Sequence, residues 1–444
     1  MKIKHTHSIF NFMIAKYVFG NNSAMIKKQF IDYLVLIAIT VLISACGTSE
    51  NNNSYSDEGT SEIEVGDIQT LSYEPASCSE SDQRDFINKV MHDVYLWSEY
   101  TPDVDVDSYA SQRELLDALV YNDEQWSGIT TLEEYDSYMV GEAVAIGINF
   151  TDQDDMIYLT HVYPDSPAED AGLQRGYALT SINGYPVADI INNDLWDEAL
   201  GPDVLDLDYI DNDSNAGSVS ITKTTFTESS VAAYSILTNS TNGNKVGYLN
   251  YLTFNDNYST DLAEAYTAFA VNDIREIVVD LRYNGGGRVY VAQILGGIIG
   301  GTTVAGRPAY SELYNDHYSS WSTQYSFASE NTLNIEKVVF IVTESTMSAS
   351  ELMINMLKPY MDITLIGSTT AGKPVGSFAV EYCGNYIKPI AFKLVNANME
   401  GDYYDGFPVT CSATDDVTHP LGDRDEGMLS VAMTYLETGS CPAE

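Results

Sequence analysis

Apolar and polar positions repeat with a different period in each of three stretches of the chain. From Cys78 to about Met139 the period is helical. Phe86, Val90, Val94 and Trp97 fall about one turn apart, and Leu115, Leu116, Leu119 and Val120 form a second stripe. Such stripes predict a small helical domain with its aromatic residues turned to a core. From Glu142 to about Leu237 the pattern is strand-like. Val144–Phe150 reads as a strand with Gly147 in its middle, and Ile157–Val162 as a second. A turn, a short helix and a glycine stop follow across Tyr163–Gly176, then a strand at Tyr177–Ile182 and an Asn183-Gly184 turn. From Lys245 onward strands alternate with helices. Strands are predicted at Val246–Phe254, Glu276–Leu281, Val338–Thr343 and Ile363–Gly367, with helices at Asp261–Asn272, Val289–Ile299 and Ser350–Leu357. That alternation predicts an α/β domain on a mainly parallel sheet. The unbroken runs Ile277-Val278-Val279 and Val338–Val342 suit strands buried on both faces. A last helix is expected at Met428–Leu436.

In a parallel sheet, the loops leaving the carboxyl ends of the strands gather along one edge. Here those loops are Asp280–Gly287, with a glycine triplet, Glu344–Ser348, and Ser368–Lys373. Ser348 is the candidate nucleophile and Lys373 its candidate general base. Each also has a plainer role. Ser348 and Glu351 fit a capping box for the next helix, and a lone lysine is ordinarily a solvated charge. Lysine is scarce in this chain, however, and Lys373 sits between Gly372 and Pro374 in an uncharged stretch. A desolvated lysine has a lowered pKa and can take a proton from a hydroxyl. Gly285–Gly287 is a poor dinucleotide turn, because Tyr290 stands where a third glycine belongs. Paired Asp415 and Asp416 are read as a solvated loop, since no further metal ligands accompany them. His92, His161, His317 and His419 lie in no Ser-His motif.

Charge narrows the partners. The 444 residues carry 21 Lys plus Arg against 64 Asp plus Glu, a net −43. That balance excludes a protein built to neutralise a phosphate backbone. The N-terminal segment indicates the compartment. Phe30–Ala45 is apolar, follows Lys27-Lys28 and ends in Ile43-Ser44-Ala45-Cys46. It resembles a bacterial lipoprotein signal, with Cys46 as the lipidated residue and Met25 as the true start. Asp32 leaves the run short for a membrane-spanning helix. Removal of residues 1–45 takes away five lysines and one aspartate, leaving 16 basic and 63 acidic side chains, a net −47. A polar tether would follow. The implied location is the cell envelope of a Gram-negative bacterium, lipid-anchored at the outer membrane and facing the periplasm or the outside. Four cysteines then remain, an even number that predicts two disulfides in an exported protein. The expected pairs are Cys383–Cys411, flanking one apparent hairpin region, and Cys78–Cys441, joining the ends.

Two family resemblances sit on these residues. The string SPAEDAGLQRGYALTSINGYPV, Ser166 to Val187, resembles the core of a PDZ domain, with Tyr177 where such domains usually carry Asp. The resemblance implies a peptide site at Ile146, Gly147 and Ile148. There, backbone N–H groups would hold a C-terminal carboxylate and the peptide would add as a strand. SASE at Ser348–Glu351, the Gly372-Lys373 pair 25 positions on, and DLRYNGGG at Asp280–Gly287 are together similar to the C-terminal processing peptidases, or tail-specific proteases.

That resemblance implies a serine endopeptidase with a Ser–Lys dyad on a crotonase-like (ClpP/crotonase) core, cleaving polypeptides near their C-terminal tails. It implies an oxyanion hole from the N–H groups of Ala349 and Gly286, and no metal or cofactor. The implied organisation is signal to residue 45, lipidated tether 46–77, helical domain 78–139, PDZ domain 140–240 and catalytic domain 241–444. Two positions depart from the family. Ser377 stands four residues after Lys373, where some members have Gln, and Pro359 stands eleven after Ser348, where others have Asp. The partner that orients Lys373 is therefore left open. The rival reading is a non-catalytic lipoprotein that binds peptides or ligands on the same fold. The sequence leaves the natural substrate and the oligomeric state open.

Overall fold

Four of the six strands of the central sheet are the strand runs predicted from the sequence, and two more, one at each edge, join them. In this computed structural model, the described residues are 74–443 except 123, 154–155, 330–332 and 334. The lipoprotein signal, Met25, Cys46 and the tether up to residue 73 lie outside them. The sheet runs in the order Val231–Thr238, Lys245–Tyr251, Glu276–Asp280, Lys337–Val342, Ile363–Gly367, Cys411–Ser412. The first pair is antiparallel and every later pair is parallel. Helices Tyr258–Val271, Val289–Val304 and Ala349–Leu357 pack on one face around Leu249, Ile277, Val279 and Phe340. Helix Gly427–Thr438 covers the other face over Val246, Val278, Val339 and Ile341. Burial on both faces is what the unbroken apolar runs require.

A second, four-stranded sheet, Thr323–Ser326, Pro308–Tyr314, Ile390–Asn396 and Val375–Ser377, is antiparallel throughout. Ala391, Phe392 and Leu394 of that sheet share one apolar core with helix Ala349–Leu357, all nine residues of which are buried. Its polar residues Ser350, Glu351 and Asn355 are buried with the rest and each takes a hydrogen-bond partner.

The middle domain is entered and left through a two-stranded ribbon, Glu142–Ala145 against Thr224–Thr227. The single strand expected over Val144–Phe150 is broken. Gly147 has φ 85°, so Glu142–Ala145 and Ile148–Gln153 belong to different sheets. The sheet of this domain, Ile148–Gln153, Met156–Val162, Ala178–Ile182, Val204–Ile210 and Ala216–Thr222, leaves Ile148–Gln153 as an edge strand. Its core includes Ile146, Leu159, Leu179 and Leu207. Val231–Thr238, which the sequence pattern left largely with this domain, is part of the central sheet.

The N-terminal region holds helices Glu80–Asp93, Gln112–Leu119 and Leu132–Val140, capped by Ser79, Ser111 and Thr131. It is not wholly helical, because Gly128–Thr131 pairs with Asn385–Lys388 of the catalytic region. The disulfide pairing expected from sequence is corrected. Cys78 joins Cys383 and Cys411 joins Cys441, each with Cα atoms 5.6 Å apart. Cys383 lies at the turn between Val380–Tyr382 and Asn385–Lys388, beside the start of the first helix. Cys411 is on the last strand of the central sheet, near the chain after the final helix. These separations put each cysteine within bridging reach of its observed partner.

Candidate active site

Strands Glu276–Asp280, Lys337–Val342 and Ile363–Gly367 are adjacent and parallel. Their following loops therefore leave the same sheet edge, as the element order predicts. Ser348 stands at the turn from strand to helix with φ 58° and ψ −115°, a conformation in neither the α nor the β region. Such backbone costs on the order of 1–3 kcal/mol and persists only where its surroundings enforce it. Ser348 is half-buried, so a substrate can reach it, while Ala349 behind it is fully buried.

The carboxylate of Glu351 enforces that turn. Its Oε2 accepts the N–H of Ser348 at 3.1 Å and that of Lys373 at 2.8 Å. Its Oε1 accepts Gly372 N–H at 2.7 Å and Thr370 Oγ1 at 2.6 Å. Burial pushes the Glu351 carboxyl above its ordinary range, against the pull of these donors. The capping box seen in sequence is thus half of a clamp joining the serine turn to the lysine loop. Spacing alone revealed the Ser348 half. The Lys373 half needs the two strands to be neighbours.

Lys373 is half-buried. Burial lowers its pKa below the ordinary lysine range. Glu124 and Glu351 pull it upward and Lys388 adds to the lowering. Lys373 Nζ makes no ion pair or hydrogen bond among the described residues, and none joins it to Ser348 Oγ. Ser377 is exposed on its strand.

Gly286 lies directly behind the serine. A Cβ built there would fall 2.9 Å from Ser348 Cβ, and its φ of 109° suits glycine alone. Its N–H, however, donates to Asn284 Oδ1 at 2.9 Å, so this expected oxyanion donor is engaged. Asn284, fully buried, pins the edge from the centre. Its Nδ2 donates to Tyr251 O at 2.9 Å, and its carbonyl accepts Met347 N–H at 3.2 Å and Ser350 Oγ at 2.9 Å.

Beneath the glycine turn, Arg282 is fully buried among three carboxylates. It meets Asp280 at 2.7 Å, Asp415 at 2.7 Å and Glu426 at 2.6 Å. Asp415 also pairs with Arg175 of the middle domain at 3.0 Å and accepts the Tyr283 hydroxyl. Asp415 is therefore no solvated loop residue, which corrects the sequence reading. Arg282 and Arg175 hold its carboxyl low against the opposing effect of burial. The middle domain faces the site here. A cleft of 340 Å³ is lined by Ile148, Asn149, Phe150, Thr160, Tyr283 and Ser345. Of the three expected peptide-site residues, only Ile148 reaches this cleft. Ile146 is buried in the domain core and Gly147 packs against Ser166. Among the described residues no group of three or more His, Cys, Asp or Glu side chains is arranged to hold a metal ion.

Comparison with known proteins gives a consistent result. The family described as "Peptidase family S41" matches residues 245–396, and "Peptidase S41 N-terminal domain" matches 82–128. The chain is 27% identical over 252 residues to a chloroplastic C-terminal processing peptidase of Tetradesmus obliquus. That match covers 52% of this chain and 52% of the relative, so the chain spans about half the relative's length. A crystal structure of a candidate S41 protease from Bacteroides fragilis superposes with a TM-score of 0.66 at 26% identity, covering 80% of this chain and 97% of the other. A photosystem II D1 C-terminal processing protease shares the fold, with a TM-score of 0.50 at 17% identity over 82% of this chain and 99% of the other.

Proposed function

The chain belongs to peptidase family S41, a family of serine proteases that includes the C-terminal processing peptidases, and on that premise we propose that it is an endopeptidase in which Ser348 is the nucleophile and Lys373 the general base. The observation that carries this reading is the shared hold of Glu351 on the backbones of Ser348 and Lys373. A structural helix cap needs only the first of those contacts. Burial that favours neutral Lys373 is the second support, since an ammonium cannot accept a proton.

In this reading Ser348 Oγ attacks the scissile carbonyl carbon while its proton passes to Lys373 Nζ. The oxyanion is received at the amino end of helix Ala349–Leu357 by Ala349 N–H and by an amide of the Gly286-Gly287 turn. Gly286 serves once Asn284 Oδ1 shares or releases it. Donors of this kind are worth about 3 kcal/mol each in acyl-transfer sites. Collapse breaks the C–N bond, and Lys373 returns the proton to the departing amine. Water then attacks the acyl-serine, giving its proton to Lys373, and the acid leaves as Ser348 is reprotonated.

The substrates proposed are polypeptides cut near their C-termini, delivered from a middle domain of the PDZ type. A bound tail would add to the edge strand Ile148–Gln153, which lines the cleft beside Ser345. We also place the protein in the cell envelope, anchored through lipidated Cys46. The lipoprotein-like signal in the sequence supports this, as do the two disulfides. Cleavage of casein and of tail peptides tests the peptidase reading. The wild type should cleave, and Ser348→Ala and Lys373→Ala should not. Equal inactivity of all three over pH 6–10 would replace the enzyme with a binding protein.

A further inference from the structure

The glycine turn behind Ser348 is flanked by Tyr283 and Arg288, and the two flanks meet different parts of the chain. The Tyr283 hydroxyl accepts Arg175 Nη1 of the middle domain at 2.8 Å. Arg288 follows Gly287 directly and donates its backbone N–H to Phe254 O at 2.6 Å. Its guanidinium meets both oxygens of Asp256, at 3.2 and 2.9 Å, so its charge is already answered. Asp256 donates its own N–H to Met139 O at 3.0 Å, which seats the end of helix Leu132–Val140 on this flank. Tyr135 lies one turn before Met139, on the same side of that helix.

Strand pairing brings Lys388 to the Tyr135 ring. Gly128 pairs in register with Lys388, and a Cβ at Gly128 would stand 3.9 Å from Lys388 Cε. The lysine stem thus crosses bare backbone, and its Nζ comes to 5.6 Å from the Tyr135 ring centroid. The Tyr386 ring packs against that of Tyr135, with centroids 4.9 Å apart. Lys388 is half-buried, and its Nζ has no hydrogen bond or ion pair among the described residues. Glu134 acts on it only as a longer-range charge. The Glu134 carboxylate is instead taken up by Thr131 N–H at 3.1 Å, Thr131 Oγ1 at 2.9 Å and Thr130 Oγ1 at 3.1 Å. An ammonium without a carboxylate is out of character for a chain with 64 acidic side chains against 21 basic ones. The ring face holds it in place without neutralising it.

We propose that Lys388, held over Tyr135, is a substrate-recognition residue that takes a carboxylate of the polypeptide on the Arg288 flank of the glycine turn. The proposal rests on the peptidase reading and names a substrate class for it. Those substrates carry an acidic side chain, or their own C-terminal carboxylate, a few residues from the cleaved bond. A lysine ammonium meets such a group as a compact point charge. Burial lowers the Lys388 pKa, and an incoming carboxylate would favour its charged form again. Lys388 touches no reacting atom.

The test uses the whole protein and tail peptides in which a single Glu, or a matched Gln, is moved along the sequence. Each peptide is made with a free and with an amidated C-terminus, which separates a side-chain carboxylate from a terminal one. Affinity is read by fluorescence anisotropy in a Ser348→Ala background, which needs no cleavage. KM and kcat are read with Ser348 intact.

At one position, or at the free terminus, the carboxylate peptide should bind about tenfold more tightly than its neutral match, as a charge-assisted contact implies. Lys388→Gln should abolish that ratio and leave the neutral peptides bound as before. Lys388→Arg should keep part of it, and Lys388→Glu should favour a peptide with Lys at the same position. With Ser348 intact the ratio should appear in KM, with kcat little changed. The proposal is overturned if no such ratio depends on Lys388 in variants with wild-type melting temperature. A uniform change across all peptides overturns it too, because that is an effect on Lys373 or on folding. If the ratio depends on Lys388 while the wild type cleaves nothing, the recognition site is upheld and the peptidase reading alone falls.

Discussion

Ser348 and Lys373 donate their backbone N–H groups to the same carboxylate oxygen, Oε2 of Glu351, at 3.1 and 2.8 Å. One buried side chain therefore ties the turn bearing the proposed nucleophile to the loop bearing the proposed base. Glu351→Gln keeps the volume but replaces one acceptor oxygen with an amide that cannot accept. Up to two of the four donors then lose their partner. Charge-assisted bonds of this kind are worth about 1.5–3 kcal/mol each. We expect a loss of about 3 kcal/mol in urea-unfolding free energy. A misplacement of about 1 Å should also cost about 100-fold in kcat. Titration of Ser348 with a fluorophosphonate would show whether the surviving folded molecules still present an active serine. A wild-type kcat would show that the clamp is structural only.

In the proposed mechanism Lys373 must be neutral to act as the base, and burial lowers its pKa below the ordinary lysine value. The acid limb of kcat/KM should therefore lie below about pH 10.4, the unperturbed lysine pKa, with activity rising toward alkaline pH. Lys373→Arg keeps a positive side chain that does not deprotonate in proteins. It should lose about 10²- to 10⁴-fold in kcat, the range of general-base contributions. Retention of activity in this variant would remove the lysine from the mechanism.

Arg282 carries the glycine turn on a fully buried charge cluster with Asp280 and Glu426, to which Asp415 is added. Arg282→Met leaves buried carboxylates without their cation. Breaking a buried pair from one side costs about 3–5 kcal/mol. Arg282→Lys should restore little, because one ammonium cannot reproduce the forked contacts to Asp280 and Glu426. Chemical denaturation of the two variants checks this. A shift under about 1 kcal/mol for the Met variant would mean the carboxylates find other partners or protonate cheaply.

The sheet edge was legible in sequence because its determinants are local. Val338–Val342 is apolar at every position, the serine turn follows directly, and Ile363–Gly367 leads straight to the lysine loop. What escaped is long-range. Glu351 shows its hold on Ser348 three residues away, but its hold on Lys373 exists only once two strands lie side by side. Asp415 looks like a loop aspartate until Arg175 and Arg282 arrive from elsewhere in the chain. The cysteine pairs follow packing rather than order, since Cys383 meets Cys78 across 305 positions. Val144–Phe150 read as one strand because periodicity does not register the positive φ of Gly147 that breaks it.

His161, on strand Met156–Val162, links the middle domain to acid stability. It is 7% exposed, lies edge-on to Tyr163 with ring centroids 4.7 Å apart, and has a buried Nε2 without a hydrogen-bond partner. Burial, with Arg175 nearby, pushes its pKa down from 6.5 to about 4. The sign follows from proton counting. Between those values the unfolded chain binds a proton at this residue and the folded one does not, so stability falls as pH drops from about 6.5 to about 4. The loss attributable to this residue is about 3 kcal/mol at most, from 1.36 kcal/mol per pKa unit. Its neutral form contributes fully above pH 6.5. His161→Phe fills a similar volume without a titrating group, and should lose correspondingly less between pH 7.5 and 4 in denaturant titrations that resolve the middle domain. Because that domain lines the cleft beside Ser345, wild-type cleavage of tail peptides should fade over the same window more steeply than cleavage of short unstructured substrates. Parallel acid curves for wild type and His161→Phe would mean that His161 stays uncoupled from folding.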